Sequence, residues 1–328
     1  MKKLAVLLAV AALAAGWALL SPYRGFEGDA YVDIPRGTGT AGIAQALADG
    51  GVIRCPWQFW VMRATRPSAK LQAGEYRFAR AASVVEVFDR IARGDIFYFE
   101  FTVPEGNNIF DIARALEGQH VMKSEDFLTA ATDASSIHDL APKARTLEGY
   151  LFPSTYRLSH HITPAQLCKR MTDEFRKEWS RVAAGQTAEV NRTVTLASLV
   201  EKETGVVEER PLVASVFTNR LEKGMRLECD PTTIYAALLD NRYRGAIHRS
   251  DLASANPYNT YQNAGLPPGP IANPGAQAIQ AALHPAQSDY LYFVAKPSGD
   301  GHHFSASMAE HEKAVEAYRH ASHKRKTN

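Results

Sequence analysis

Two glutamates with one lysine between them, Glu201 and Glu203, close the apolar stretch LASLVEKETG at residues 196–205. A carboxyl does chemistry when its surroundings set its protonation, so the direction in which each one points matters first. Read as a helix, capped by Thr193 or Thr195 and ended by Gly205, the stretch puts Leu196, Leu199, Val200 and Glu203 on one stripe. Steps of three, four and seven residues share a helical face. Glu201 falls nearly opposite, with Val194, Ala197 and Ser198. A carboxyl on a buried stripe loses solvation, which raises its pKa and suits a general acid that must hold its proton near neutral pH. The same spacing also fits a solvated carboxylate at a fraying helix end.

Other chemistries find no footing. There is no His-Glu-x-x-His helix, no Gly-x-Ser-x-Gly elbow and no phosphate-cradling glycine loop. His302 and His303 are adjacent, and on a strand they face opposite ways, so they read as surface residues rather than a metal pair. Cys55, Cys168 and Cys229 form neither a disulfide framework nor a metal motif and read as small buried or tolerated residues. No metal or cofactor is expected. The turn-rich segment NPYNTYQNAGLPPGPIANPG, residues 256–275, is too long to be idle in a compact domain. Its Tyr and Asn side chains offer the ring stacking and amide hydrogen bonds that a sugar site uses.

These residues must be held by a scaffold, and 328 residues are enough for two domains and a real core. A net charge of +2 gives no footprint for bulk nucleic-acid binding, so no nucleic acid is expected as a partner. The basic tail, residues 321–328, reads as a solvated end. At the other end Lys2 and Lys3 precede an unbroken apolar run over residues 4–20, about the minimum length for a membrane span. An uncleaved anchor within residues 1–22, with the N-terminus cytoplasmic, is expected; a signal peptide cut after Ala14 is the competing reading.

An internal echo follows. IPRGTGTAGIAQAL, from Ile34, matches VPEGNNIFDIARAL, from Val103, each reading as a strand end, a Pro-x-Gly turn and a helix. A second helix near Trp57 to Arg63, the strand GEYRF and a helix from Ser83 to Arg93 complete a strand–helix–helix–strand pattern, residues 30–97, that resembles a LysM module. From Phe97 on, the pattern predicts a strand in FYFEFTV and helices near Ile109 to Glu117, Ser124 to Ala134 and Pro164 to Ala183. Beyond these it predicts a helix from Pro211 ended by Gly224, a buried strand in DYLYFVA and a last helix from Ser307 to His320. Without a regular βαβ rhythm the class is α+β: a membrane helix, a small βααβ subdomain and a larger mixed α/β domain over residues 98–320.

The blocks LEGYLFPSTY, ASLVEKET, VFTNRLEKGMRLECDPTTIYA, NPYNTYQNAGLPPGPIANPG and AALHPAQSDYLYFVA, in this order, resemble the endolytic murein transglycosylase (YceG-like) family. The resemblance implies a peptidoglycan lytic transglycosylase of the inner membrane, with its catalytic domain periplasmic, that cuts glycan strands between N-acetylmuramic acid and N-acetylglucosamine. It would leave 1,6-anhydro ends, limit the length of nascent strands and partner peptidoglycan synthases (penicillin-binding proteins). It makes Glu203 the catalytic acid and Glu201 a structural neighbour. By family block and residue type, Glu148, Asn219, Asp230, Tyr258, Asn259 and Tyr261 are expected at the substrate. Ser154, Cys229 and Gly205 depart from the family pattern without touching the acid. A muramidase, with Glu148 or Asp230 activating water, and a non-catalytic cell-wall scaffold are the alternatives.

Overall fold

The computed structural model describes residues 2–184, 186 and 189–326. They fall into two compact units, residues 1–101 with 157–161, and residues 102–156 with 162–328.

The first unit begins with α1 (Lys2–Leu20), followed by β1 (Ala30–Ile34), α2 (Thr40–Asp49), α3 (Pro56–Thr65), β2 (Gly74–Phe78) and α4 (Val84–Arg93). Among the described residues no helix is long and apolar enough to cross a membrane. β1 and β2 pair antiparallel, Val32 opposite Tyr76, so Val32, Ile34, Tyr76 and Phe78 point into one core with Leu47, Phe59 and Phe88. The cap of α4 is reciprocal: the Ser83 hydroxyl accepts from the Glu86 N–H, and the Glu86 carboxylate accepts from the Ser83 N–H at 2.9 Å. The unit runs four residues past the expected boundary and takes in residues 157–161. His160 stacks on Tyr31 at 4.2 Å and donates its backbone N–H to Glu75 at 2.6 Å.

The second unit holds α5 (Ile109–Gly118), α6 (Ser124–Ala131), α7 (Pro164–Val182), α8 (Val190–Glu203), α9 (Arg210–Glu222), α10 (Asp230–Leu239), α11 (Arg249–Leu252), α12 (Ala276–Leu283), β5 (Tyr292–Ala295), β6 (His302–Ser305) and α13 (Met308–Lys326). The strands β3 (Phe99–Thr102) and β4 (Thr155–Leu158) pair with each other. β5 and β6 pair antiparallel, and all of β5 is half-buried rather than buried, because a two-stranded ribbon keeps one face open. α13 continues to Lys326, so most of the expected basic tail is helix; residues 327 and 328 lie outside the described residues.

The echoed segments do fold alike. Pro35 and Pro104 each accept a turn-closing N–H, from Thr38 and Asn107, and Gly37 and Gly106 both take positive φ, 86° and 78°. Ile43, Ala44 and Leu47 are buried on α2 as Ile112, Ala113 and Leu116 are on α5.

α8 is the axis of the second unit and packs against α9, α10 and α12. Every residue from Thr193 to Val200 is buried, so the helix has no solvent face between its first and last turns. The expected split into apolar and polar faces is replaced by burial all round. Glu189, not a threonine, caps the helix; the Thr193 and Thr195 hydroxyls donate back to the carbonyls of Glu189 and Asn191.

Candidate active site

The last turn of α8 emerges from the core and carries both glutamates. Glu203 opens on a hollow of about 280 Å³ walled by Phe217 and Arg220 from α9, Leu227, Glu228, Asp230, Tyr261, Phe293 from β5 and His311 from α13. Burial holds its carboxyl above the usual carboxylate range. The Cys229 thiol set against it, Arg220 and His302 draw it back, while Asp230 pushes it further up. The apolar wall that desolvates it is thus Phe217, Leu227 and Phe293, with Leu199 and Val200 behind in the core, rather than its own helical stripe alone. Burial likewise keeps Cys229 a thiol, well above its ordinary pKa, so it meets the carboxyl as a donor.

Glu201 has different company. Its Oε1 accepts from Arg210 at 2.8 Å and its Oε2 from the Gly275 N–H at 2.9 Å. Both charged side chains are buried, 5% and 6% exposed, so this is an internal pair tying α8 to α9 and α12. Lys202 reaches away to the Gly106 carbonyl at 3.1 Å.

Of the six residues expected at the substrate, the fold brings two to the hollow. Asp230, the first residue of α10, accepts the Tyr261 hydroxyl at 2.7 Å, and both stand on the wall beside Glu203. The other four lie outside the lining of this hollow, each with partners of its own. Glu148 is buried, accepts from the Ile109 N–H at 3.0 Å and from the Asn273 amide at 3.0 Å, and has its pKa pushed up to about 8 by burial. It secures the start of α5. Asn219 donates to the carbonyls of Ser288 and Tyr290, both at 2.9 Å, and pins the chain entering β5. Asn259 is fully buried and donates to the carbonyls of Asp251, Leu252 and Ser254. Tyr258 packs its ring on Tyr235 at 5.1 Å. The turn-rich loop spends most of its polar groups on holding itself. Asn273 shows this best: its side-chain Oδ1 accepts from the N–H groups of Gly149 and Leu151, both at 2.9 Å. Gly149 has φ +88°, and a Cβ there would lie 2.4 Å from Pro270.

His302 also departs from its expected surface position. Its backbone N–H and ring Nδ1 both meet Glu209, each at 2.7 Å. Arg220 and His311 carried no sequence signal. Arg220 donates to the carbonyls of Leu291 at 2.6 Å and Leu227 at 3.0 Å and lies over the Tyr292 ring, while His311 stacks on that ring at 5.2 Å. Burial and Arg220 hold His311 below the usual imidazole pKa. Among the described residues no group of His, Cys, Asp and Glu is placed to hold a metal ion. The three cysteines are free.

An α+β chain whose central helix delivers a desolvated carboxyl to a polar hollow defines the class of protein that the site can serve. The YceG-like family matches residues 32–317, and the chain belongs to that family. It is 33% identical over 306 residues to the endolytic murein transglycosylase of Bacillus subtilis, covering 88% of this chain and 84% of that one. The endolytic murein transglycosylase of Streptococcus pneumoniae is 29% identical over 315 residues, and the match spans 57% of its length. The crystal structure of a YceG-like protein from Listeria monocytogenes, 31% identical, superposes with a TM-score of 0.58 over 88% of this chain and 99% of that one.

Proposed function

We infer that this protein is an endolytic lytic transglycosylase of peptidoglycan. The observation that carries the reading is Glu203: a carboxyl whose pKa burial raises, without an ion pair, at the mouth of a polar hollow, in a chain similar over most of its length to endolytic murein transglycosylases. Glu203 protonates the glycosidic oxygen between N-acetylmuramic acid and N-acetylglucosamine. Its carboxylate then takes the proton of the muramyl C6 hydroxyl as that oxygen closes onto C1, leaving a 1,6-anhydro end. Hydrolysis with retention or inversion needs a second carboxyl; here the substrate supplies the nucleophile. Asp230, with Tyr261 on it, faces the same hollow and would ease the positive charge that builds at C1.

The presence of Asp230 on that wall also keeps a muramidase in view, with Asp230 activating water. Mass spectrometry of the products of purified glycan strands separates the two. Anhydro ends are expected, while reducing ends alone would replace the transglycosylase by the hydrolase.

The residues around the apolar segment 4–20 are proposed to form a single-pass inner-membrane anchor, with the N-terminus cytoplasmic and both units periplasmic. The support is Lys2 and Lys3 ahead of the run, and its helical fold in α1. The βααβ part of the first unit is proposed to be LysM-like and to keep glycan close. Placement beside nascent strands makes peptidoglycan synthases the proposed partners.

A further inference from the structure

α3 presents two faces of unlike purpose. Gln58, Phe59 and Met62 are buried in the first unit. Trp57, Trp60 and Val61 are 38%, 50% and 37% exposed, and Ala64, also exposed, extends them to an i, i+3, i+4, i+7 stripe. Tryptophans are seldom spent on open solvent, and a soluble surface seldom lines them up. The sequence around the stripe is one-signed: residues 50–74 contain Arg54, Arg63, Arg66 and Lys70 and no Asp or Glu. An apolar stripe with indole rings and a basic rim is the pattern of a helix lying in the headgroup region of an anionic bilayer.

The same helix is fastened to the end of α1. The Gln58 amide donates to the Ala18 carbonyl at 2.6 Å, and the Arg54 guanidinium lies over the rings of Trp17, 5.5 Å, and Tyr23, 4.7 Å. Trp17 and Leu20 in that last turn of α1 are themselves 65% and 68% exposed. Two indole-bearing stripes therefore meet where an anchor would leave the hydrocarbon, the level at which Trp is enriched.

We propose that the exposed face of α3 rests on the outer headgroup layer of the membrane, so that the first unit lies against the bilayer rather than swinging from it. This rests on the reading of α1 as an anchor. The partner is an anionic phospholipid surface, taken by Trp57, Trp60 and Val61 with Arg54, Arg63 and Lys70 around them, while Arg66 is paired with Asp89.

The test uses the full chain in vesicles of phosphatidylglycerol and phosphatidylethanolamine, some carrying acyl chains brominated near the headgroup, which quench nearby indoles. Two variants at exposed positions leave the core untouched: Trp17→Phe, and Trp57→Phe with Trp60→Phe. Trp179 is the internal reference. The Trp17→Phe protein is expected to lose about half of its emission, since two of its three remaining indoles would sit at the interface. Replacing phosphatidylglycerol by phosphatidylcholine should reduce that loss. If the double variant is quenched through Trp17 while the Trp17→Phe protein is not, the anchor stands and the docking of α3 is wrong. A chain that fails to float with the vesicles removes both. An emission shift of Trp57 and Trp60 on adding soluble glycan strands, with no quenching by lipid, assigns the stripe to glycan and overturns the proposal, as does a shift that follows protein concentration.

Discussion

The two sides of the last turn of α8 are built from the same residue type and stand in opposite surroundings. On one side Glu201 is buried with a full complement of partners, the Arg210 guanidinium and the Gly275 N–H. On the other, Glu203 has apolar walls, a thiol and an open hollow. Burial raises both carboxyls, but the charge of Arg210 and the Gly275 N–H work against it only at Glu201. A carboxylate with a cation and a fixed donor is committed to structure. One that is desolvated with no cation bonded to it can exchange its proton with a substrate. The comparison teaches that the partner, more than burial, separates a strut from an acid.

The widest contrast comes from neutralising each in turn. Glu203→Gln keeps shape and hydrogen-bonding capacity but cannot donate the proton. Glycan cleavage should fall by about a thousandfold or more, within the range that a positioned acid contributes, with the melting temperature nearly unchanged. Anhydro-product formation followed by mass spectrometry measures it, and activity within tenfold of the parent would falsify the assignment. Glu201→Gln should do the reverse. It leaves Arg210 buried with only the half-exposed Glu105 at 3.5 Å as its ion-pair partner, so stability should drop by about 3 kcal/mol. Turnover by the fraction still folded should stay within about threefold, since the general acid remains. Denaturant unfolding and activity measured on the same sample decide it. A large loss of turnover without a loss of stability would make Glu201 part of the chemistry.

That contrast marks what the sequence could and could not convey. The unlike surroundings of Glu201 and Glu203 were legible, although the two-faced helix behind that reading was not: residues 193–200 are buried on every side, and a helix enclosed by α9, α10 and α12 has no polar face to reveal its phase. The turn and helix echoed at Pro35 and Pro104 were legible because proline, glycine and helical spacing act locally. α10 was missed because β-branched Thr232, Thr233 and Ile234 follow Pro231, a composition that local propensity does not favour in a helix; tertiary packing of Tyr235 and Ala236 decides it. Asn259 and Asn219 were chosen for amide chemistry that the fold directs at its own backbone carbonyls. A polar side chain in a long loop must first satisfy that loop. Arg220 reaches the hollow from the next helix and His311 from the last one, across turns whose geometry no helical spacing conveys.

The smallest expected effect is the sharpest probe of the boundary between the two sides: how far the Glu203 wall tunes its acid. With its pKa raised by burial, Glu203 keeps its proton to higher pH, so the rate should fall on the alkaline side above the roughly 4.3 of a free glutamate. Replacing a wall residue by a polar one, Leu227→Asn, admits water, favours the carboxylate and moves that limb toward acid. Cys229→Ala removes a donor to the carboxylate, disfavours the charged form and moves the limb the other way. Each shift should be on the order of half a pH unit, the size expected for one weak hydrogen bond or one partly hydrated wall. Val200→Thr lies in the core behind the wall and should cost stability while leaving the limb in place. The measurement is a pH–rate profile of anhydro-product formation for the parent and the three variants. Opposite shifts for Leu227→Asn and Cys229→Ala would tie the acid to the walls of the hollow. A limb that moved with Val200→Thr alone would return the tuning to the helical stripe, and the two sides of α8 would then differ by the helix itself rather than by the company each carboxyl keeps.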